Sequence, residues 1–307
     1  VFTEKISGAG VFMDKIKEGY IDISGWKLWY SIAGADKEGI PLLCLHGGPG
    51  APHDYLKPLE KLSDERPVIF YDQIGCGNSD KPNDLSYFTV ENYIDELETV
   101  REALNLSEVH IMGQSWGSTL AASYYLDRKP AGVISLTFSG PVMSMKMFEK
   151  DARRLLEEMP DDLKKIIYDC EKSGNFLDPA YEKAMEVFYS RHVYRMKPWP
   201  DAMNKTIEKL GHEVYKYMQG PSEFTVTGTL KGLDLTDRLS ELDLPVLYTC
   251  GEFDECTPET TKYYHRNTPG SKMAVFKGAS HEHHLEKQNQ YLAVLSEFLS
   301  RTDLRKG

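Results

Sequence analysis

Four short runs, PLLCL (41–45), PVIFY (67–71), EVHIM (108–112) and VISLTF (133–138), are apolar without alternation. A strand that is apolar on both faces has to be covered on both faces, as happens in a parallel sheet between two helical layers. The stretches between these runs have a helical period instead. In TVENYIDELETVREALNL, Val90, Tyr93, Ile94, Leu97, Val100 and Leu104 recur at steps of three and four. Strands alternating with helices predict an α/β fold with a mostly parallel central sheet and helices on both faces. Ahead of them, YIDISGWKLWYSIAG alternates apolar and polar residues on either side of Ser24-Gly25, which reads as an antiparallel hairpin.

The alternation stops near Gly140 and resumes at PVLYTC (245–250), followed by KMAVF (272–276). The residues between have a largely helical pattern. Phe148, Ala152, Leu155 and Met159 share one helical face, and Asp178-Pro179 reads as an N-cap with proline at the first helical position. Met203, Ile207 and Leu210 lead to Gly211, read as a C-cap. The expected organisation is a core from residues 1–140 and 236–307 with a helical cap, 141–235, inserted late in the sheet. The closing SRTDLRKG is expected to be a frayed, charged tail.

Gly113-Gln114-Ser115-Trp116-Gly117 matches the G-x-S-x-G pattern. Glycine makes up about 7% of an average sequence, so a chance match in a chain of this length is on the order of one in ten. The context adds weight. EVHIM precedes the serine and the helix-like WGSTLAASYYLDRK follows, the strand–turn–helix that a nucleophile elbow requires. A serine needs a base, and the base needs an orienting acid, in the order Ser, Asp/Glu, His along the chain. GEFDECTPE offers Glu252, Asp254 and Glu255 after one late strand, and ASHEHH offers His281, His283 and His284 after the next. Asp254 and His281 are the candidates for the triad with Ser115. His283 and His284 are read as surface residues at a helix start. No second Cys/His group accompanies them, so no metal is expected. An oxyanion needs two donors. The Trp116 amide is one, and LHGGPG (45–50) supplies the other at Gly48, with Gly47 next in line.

The charge balance narrows the partners. With Lys+Arg 36 against Asp+Glu 47, the net charge of −11 disfavours nucleic acid and membranes and favours cationic ligands. No run reaches the length of a membrane span, and VFTEKISGAG lacks the apolar stretch of an intact signal peptide. Five cysteines, odd in number and without a CxxC pair, suit a reduced, cytoplasmic protein. No cofactor is expected, and the oligomeric state stays open with a monomer favoured.

HGGPG, DQIGCGNSD (72–80) and GQSWGSTLA (113–121), with GEFDE and GASH, together resemble the proline iminopeptidases (prolyl aminopeptidases) of the α/β-hydrolase superfamily, in particular the tricorn-interacting aminopeptidase type. The resemblance covers nearly the whole chain and is weakest in the insertion. It implies an α/β-hydrolase fold and a serine hydrolase that releases an N-terminal residue, proline or another small or hydrophobic one, from short peptides or amino-acid amides through an acyl-enzyme. It also implies that glutamates bind the substrate's free amine. One follows the triad aspartate, here Glu255, and one lies in the SEFTVTGTL segment, here Glu223. Two other classes fit the residues less well: a carboxylesterase or lactonase on the same scaffold, and a non-catalytic binding protein.

Overall fold

The computed structural model describes residues 16–304, so VFTEKISGAG and the expectation attached to it lie outside the described residues. Eight strands form one sheet: β1 (Lys17–Ile23), β2 (Trp26–Ala33), β3 (Leu42–Leu45), β4 (Val68–Tyr71), β5 (Val109–Gln114), β6 (Val133–Ser139), β7 (Val246–Gly251) and β8 (Lys272–Phe276). Their order is β1-β2-β4-β3-β5-β6-β7-β8, with β1–β2 and β2–β4 antiparallel and every other neighbouring pair parallel. Ser24 and Gly25 turn the first hairpin with φ of 51° and 88°, the positive pair that a tight two-residue turn demands.

The absence of alternation in the central strands has a direct structural cause. β3, β4 and β5 are buried at every position. Leu43, Leu45, Ile69 and Tyr71 face one core, with α1 (Val90–Ala103) and α2 (Trp116–Arg128) packed above them. Leu42, Cys44, Val68 and Phe70 face a second core, closed by the helical turns His53–Asp64 and by Gln288–Asp303. The helix α1 starts where expected because Thr89 Oγ1 accepts the Asn92 amide.

Between β6 and β7 the chain runs through α3 (Met145–Glu157), α4 (Asp161–Ser173), α5 (Pro179–His192), α6 (Asp201–Glu208) and α7 (His212–Met218). Ala152, Leu155, Ile167, Ala184 and Phe188 build a core of their own there. Asp178 caps α5 by accepting the Ala180 amide, with Pro179 next. Asp151 ties the helices to the loop after β7, accepting the hydroxyls of Thr257 and Thr260 at 2.6 and 2.5 Å.

Two local expectations need correction. Gly211 does not end α6; it precedes α7, and a Cβ there would lie 2.5 Å from the Gly75 carbonyl oxygen. Its glycine is required by contact between the insertion and the DQIGCG loop, not by a helix stop. SRTDLRKG is not frayed through Asp303, because the last helix continues to that residue. Asp303 accepts bonds from buried Arg66 at 3.0 Å and His110 at 2.9 Å, which anchor the helix end.

Candidate active site

Ser115 sits between the end of β5 and the start of α2 with φ 52° and ψ −122°, a conformation that costs a non-glycine residue free energy. The surroundings hold it there. Its amide donates to Ser139 O at 2.9 Å, and its carbonyl accepts the Ser118 amide at 2.8 Å. The flanking glycines are needed for close approach. A Cβ on Gly113 would stand 2.1 Å from Gly117 O, and one on Gly117 would stand 2.3 Å from Leu45 O. The side chain therefore projects from a tight turn at the carboxyl end of the sheet, where such folds bind ligands.

Asp254 and His281 come from the loops after β7 and β8 and are both buried. His281 Nδ1 lies 2.7 Å from Asp254 Oδ1, while Asp254 also accepts the amides of Cys256 at 2.8 Å and Gly251 at 3.2 Å. Burial by itself lowers the imidazole's proton affinity, but the charge of Asp254 and its hydrogen bond raise it well above the ordinary 6.5. Ser115 and His281 share the wall of one cavity of about 410 Å³. Asp254, Cys256 and His281 bring one ligand-type atom each within 4.8 Å of one another. Two of these groups are engaged with each other, and burial pushes the Cys256 thiol far above its usual range. A neutral thiol is a poor metal ligand.

The oxyanion candidates separate on their hydrogen bonds. The Gly47 amide donates to Tyr55 Oη at 2.7 Å, so it is occupied. Gly48 lines the same cavity as Ser115, and Trp116 opens α2, where the first amides of a helix lack carbonyl partners. A network fixes this region. Trp116 Nε1 donates to Gln73 Oε1 at 2.9 Å, and the Gln73 amide donates to His46 Nε2 at 2.9 Å. Burial lowers His46 to about 4, which keeps it a neutral acceptor. The HGGPG and DQIGCG segments are thereby one hydrogen-bonded unit.

Glu223 and Glu255 both line the cavity. Glu223 Oε1 accepts the Tyr215 hydroxyl at 2.5 Å, and Glu255 Oε1 lies 3.9 Å from His281 Nε2. Glu255 Oε2 is buried without a hydrogen-bond partner among the described residues. Burial raises both carboxyls, and for Glu255 the charge of Glu223 adds to the effect, so it stands well above 4.5. Tyr189, Trp199 and Tyr215 line the same cavity, whereas Phe188 packs in the core of the insertion.

His283 and His284 are not surface residues; they are 0% and 1% exposed. Each imidazole satisfies buried polar groups. His283 Nε2 lies 2.9 Å from both Ser139 Oγ and Thr249 Oγ1, and its ring stacks on Phe276. His284 Nε2 donates to Tyr55 O at 3.1 Å. Burial lowers them to about 4 and about 3, so both are neutral. Sequence reasoning missed Tyr55, Gln114 and Glu282 on the cavity wall. The only signal for Glu282 was its place directly after His281.

A strained serine between strand and helix shares a cavity with the histidine of an Asp–His pair from later strand ends, the layout of a serine hydrolase on an α/β-hydrolase scaffold, and the alpha/beta hydrolase fold family model matches residues 40–288. A proline iminopeptidase of Heyndrickxia coagulans is 44% identical over 284 residues, covering 92% of this chain and 98% of that protein. One from Saccharolobus solfataricus is 38% identical over 93% of each chain. The crystal structure of the Mycobacterium smegmatis proline iminopeptidase superposes with a TM-score of 0.87 at 34% identity, over 95% of this chain and all of that one. The chain belongs to the proline iminopeptidase family of α/β hydrolases, and it is a serine hydrolase with peptidase function, an aminopeptidase. No helix among the described residues is long and apolar enough to cross a membrane.

Proposed function

We propose that Ser115, His281 and Asp254 form the triad, that the Gly48 and Trp116 amides hold the oxyanion, and that Glu223 and Glu255 bind the substrate's α-ammonium. The substrate is a short peptide or amino-acid amide with proline or another small or hydrophobic residue at its N-terminus. Residues 141–235 act as a cap over the core formed by the segments on either side.

The observation that carries this reading is the pair of glutamates beside Ser115 and His281. Two carboxyls sharing a poorly solvated wall, one with an unpartnered buried oxygen, are costly unless a cation arrives. A prolyl ammonium has two N–H donors, one for each carboxylate, and such charge-assisted bonds are strong. An N-acylated or internal peptide nitrogen brings no charge and leaves the acids uncompensated. Beside Ser115, a narrow pocket walled by Trp116, Val142, Phe148 and Leu230 suits a small apolar side chain.

The reaction follows from these positions. With the amine anchored, Ser115 Oγ attacks the first carbonyl as His281 Nε2 takes its proton. Asp254 holds the Nδ1 proton and stabilises the imidazolium. The oxyanion receives the two amides, worth about 3 kcal/mol for one donor. The C–N bond then breaks, and His281 returns the proton to the leaving nitrogen. Water, deprotonated by His281, attacks the acyl-enzyme ester and frees the amino acid and Ser115.

The test is a matched panel: proline, alanine, leucine and phenylalanine arylamides, their N-acetylated forms and simple esters. Turnover of the free-amine amides with silence from the acetylated ones is expected. Equal cleavage of acetylated substrates, or cleavage of esters alone, overturns the amine-anchored reading.

A further inference from the structure

The cavity beside Ser115, at about 410 Å³, is larger than one amino-acid residue needs. With Glu223 and Glu255 holding the amine, the peptide beyond the scissile bond occupies the remaining lobe, so a role for that lobe rests on the amine-anchored reading. Beyond the triad and amine-anchor residues, the cavity wall includes Tyr55, Met203, Thr206, Ile207, His212 and Glu282. Much of that wall is apolar, and Glu282 is its acid besides Glu223 and Glu255. Glu282 is only 7% exposed, and its Oε2 has no hydrogen-bond partner among the described residues.

Glu282 is a separate feature from the amine anchor. Its amide donates to Val193 O at 2.9 Å, and its Oε2 stands 3.5 Å from His284 Nδ1, while the other nitrogen of that ring, Nε2, bonds to Tyr55 O. Among the charges acting on Glu255, Glu223 is the strongest and Glu282 the weakest. His284 Nδ1 is itself without a hydrogen bond among the described residues, and burial keeps that ring neutral, so it does not neutralise the acid.

We propose that Glu282 is a specificity residue for the leaving group, taking the cationic side chain of a lysine or arginine that directly follows the released residue. An aliphatic stem lies along the apolar walls while its charged end meets the carboxylate, which is how long cationic side chains use such grooves. Burial raises Glu282 to about 7, so the empty site holds a proton readily, and an arriving cation displaces it. The excess of acidic residues over the whole chain draws such peptides in.

The test compares prolyl-lysinamide with prolyl-norleucinamide, which differ in the terminal cation. The wild type is expected to favour lysine in kcat/KM by about tenfold or more, the usual scale for a hydrogen bond to a charged group. In Glu282→Gln the lysine-to-norleucine ratio falls to near one. The ratio is taken within each variant, so a general loss of activity cancels. Should Glu282→Gln not fold, product inhibition of the wild type decides, with lysinamide expected to inhibit more strongly than norleucinamide. Turnover of both peptides with no lysine preference, or a preference unchanged in Glu282→Gln, overturns the subsite and leaves the aminopeptidase reading intact. No turnover of either peptide overturns both.

Discussion

The Gly47 amide donates to the Tyr55 hydroxyl at 2.7 Å, and that hydroxyl donates in turn to Gln114 Oε1 at 2.7 Å. One phenol thus ties the HGGPG loop to the residue immediately before Ser115. It links the two segments that carry the proposed oxyanion donors, Gly48 and Trp116.

Tyr55→Phe is therefore expected to lower kcat about tenfold with a smaller change in KM, because loosened donors weaken transition-state binding first. The check is steady-state kinetics on a prolyl arylamide. A change confined to KM would contradict a positioning role.

Glu223→Gln and Glu255→Gln keep the shape of each side chain and remove its charge. Each is expected to reduce kcat/KM for free-amine substrates about ten- to a hundredfold, the scale of a charge-assisted hydrogen bond. The double variant should lose the preference for free over acetylated amines. Unchanged discrimination in the double variant would place the amine elsewhere.

The imidazole of His281 must be neutral to accept the Ser115 proton. Burial works against its protonation, but Asp254 raises it above 6.5, so kcat/KM should fall as pH drops through a midpoint above that value. Asp254→Asn removes the charge and the correct tautomer. The limb then moves to lower pH, and kcat falls by about a thousandfold or more. A limb at or below 6.5 in the wild type would contradict the assignment.

Glu96 on α1 is fully buried, its carboxyl accepting the Ile74 amide at 3.2 Å and the Tyr87 hydroxyl at 3.3 Å. Burial pushes it from 4.5 up to about 8. A raised acid binds its proton more tightly folded than unfolded, so its stabilising effect is complete below 4.5 and lost as pH rises through about 8. Glu96→Gln should therefore gain in Tm over the wild type between pH 5 and pH 8.5, by several degrees or more on the scale of about 4 kcal/mol. Parallel Tm curves at both pH values would show that Glu96 does not titrate in this way.

How much was legible in the sequence depended on what each residue's role required. Ser115, Asp254 and His281 could be picked out as candidates because strand ends place them, and strand ends are marked by apolar runs and the turns after them. The structure adds the Asp254–His281 bond and the cavity that Ser115 and His281 share. Glu282 and Tyr55 were not readable, since their importance lies in where a side chain points after the chain has crossed from one element to another. His283 and His284 misled for a related reason. Histidine next to a helix start reads as polar and exposed, yet a neutral imidazole is well suited to satisfying buried hydroxyls and carbonyls. Asp303 likewise reads as a tail residue until Arg66 and His110, both remote in sequence, are found beside it.

The most direct measurement is peptide mapping of the protein after reaction with a fluorophosphonate probe, alone and in the presence of excess prolyl amide. The expected result is a single adduct on Ser115, suppressed by the prolyl amide but not by its N-acetyl form, with Ser115→Ala unlabelled and at least about a thousandfold less active. Full turnover by Ser115→Ala, or an adduct on another residue, would contradict Ser115 as the nucleophile.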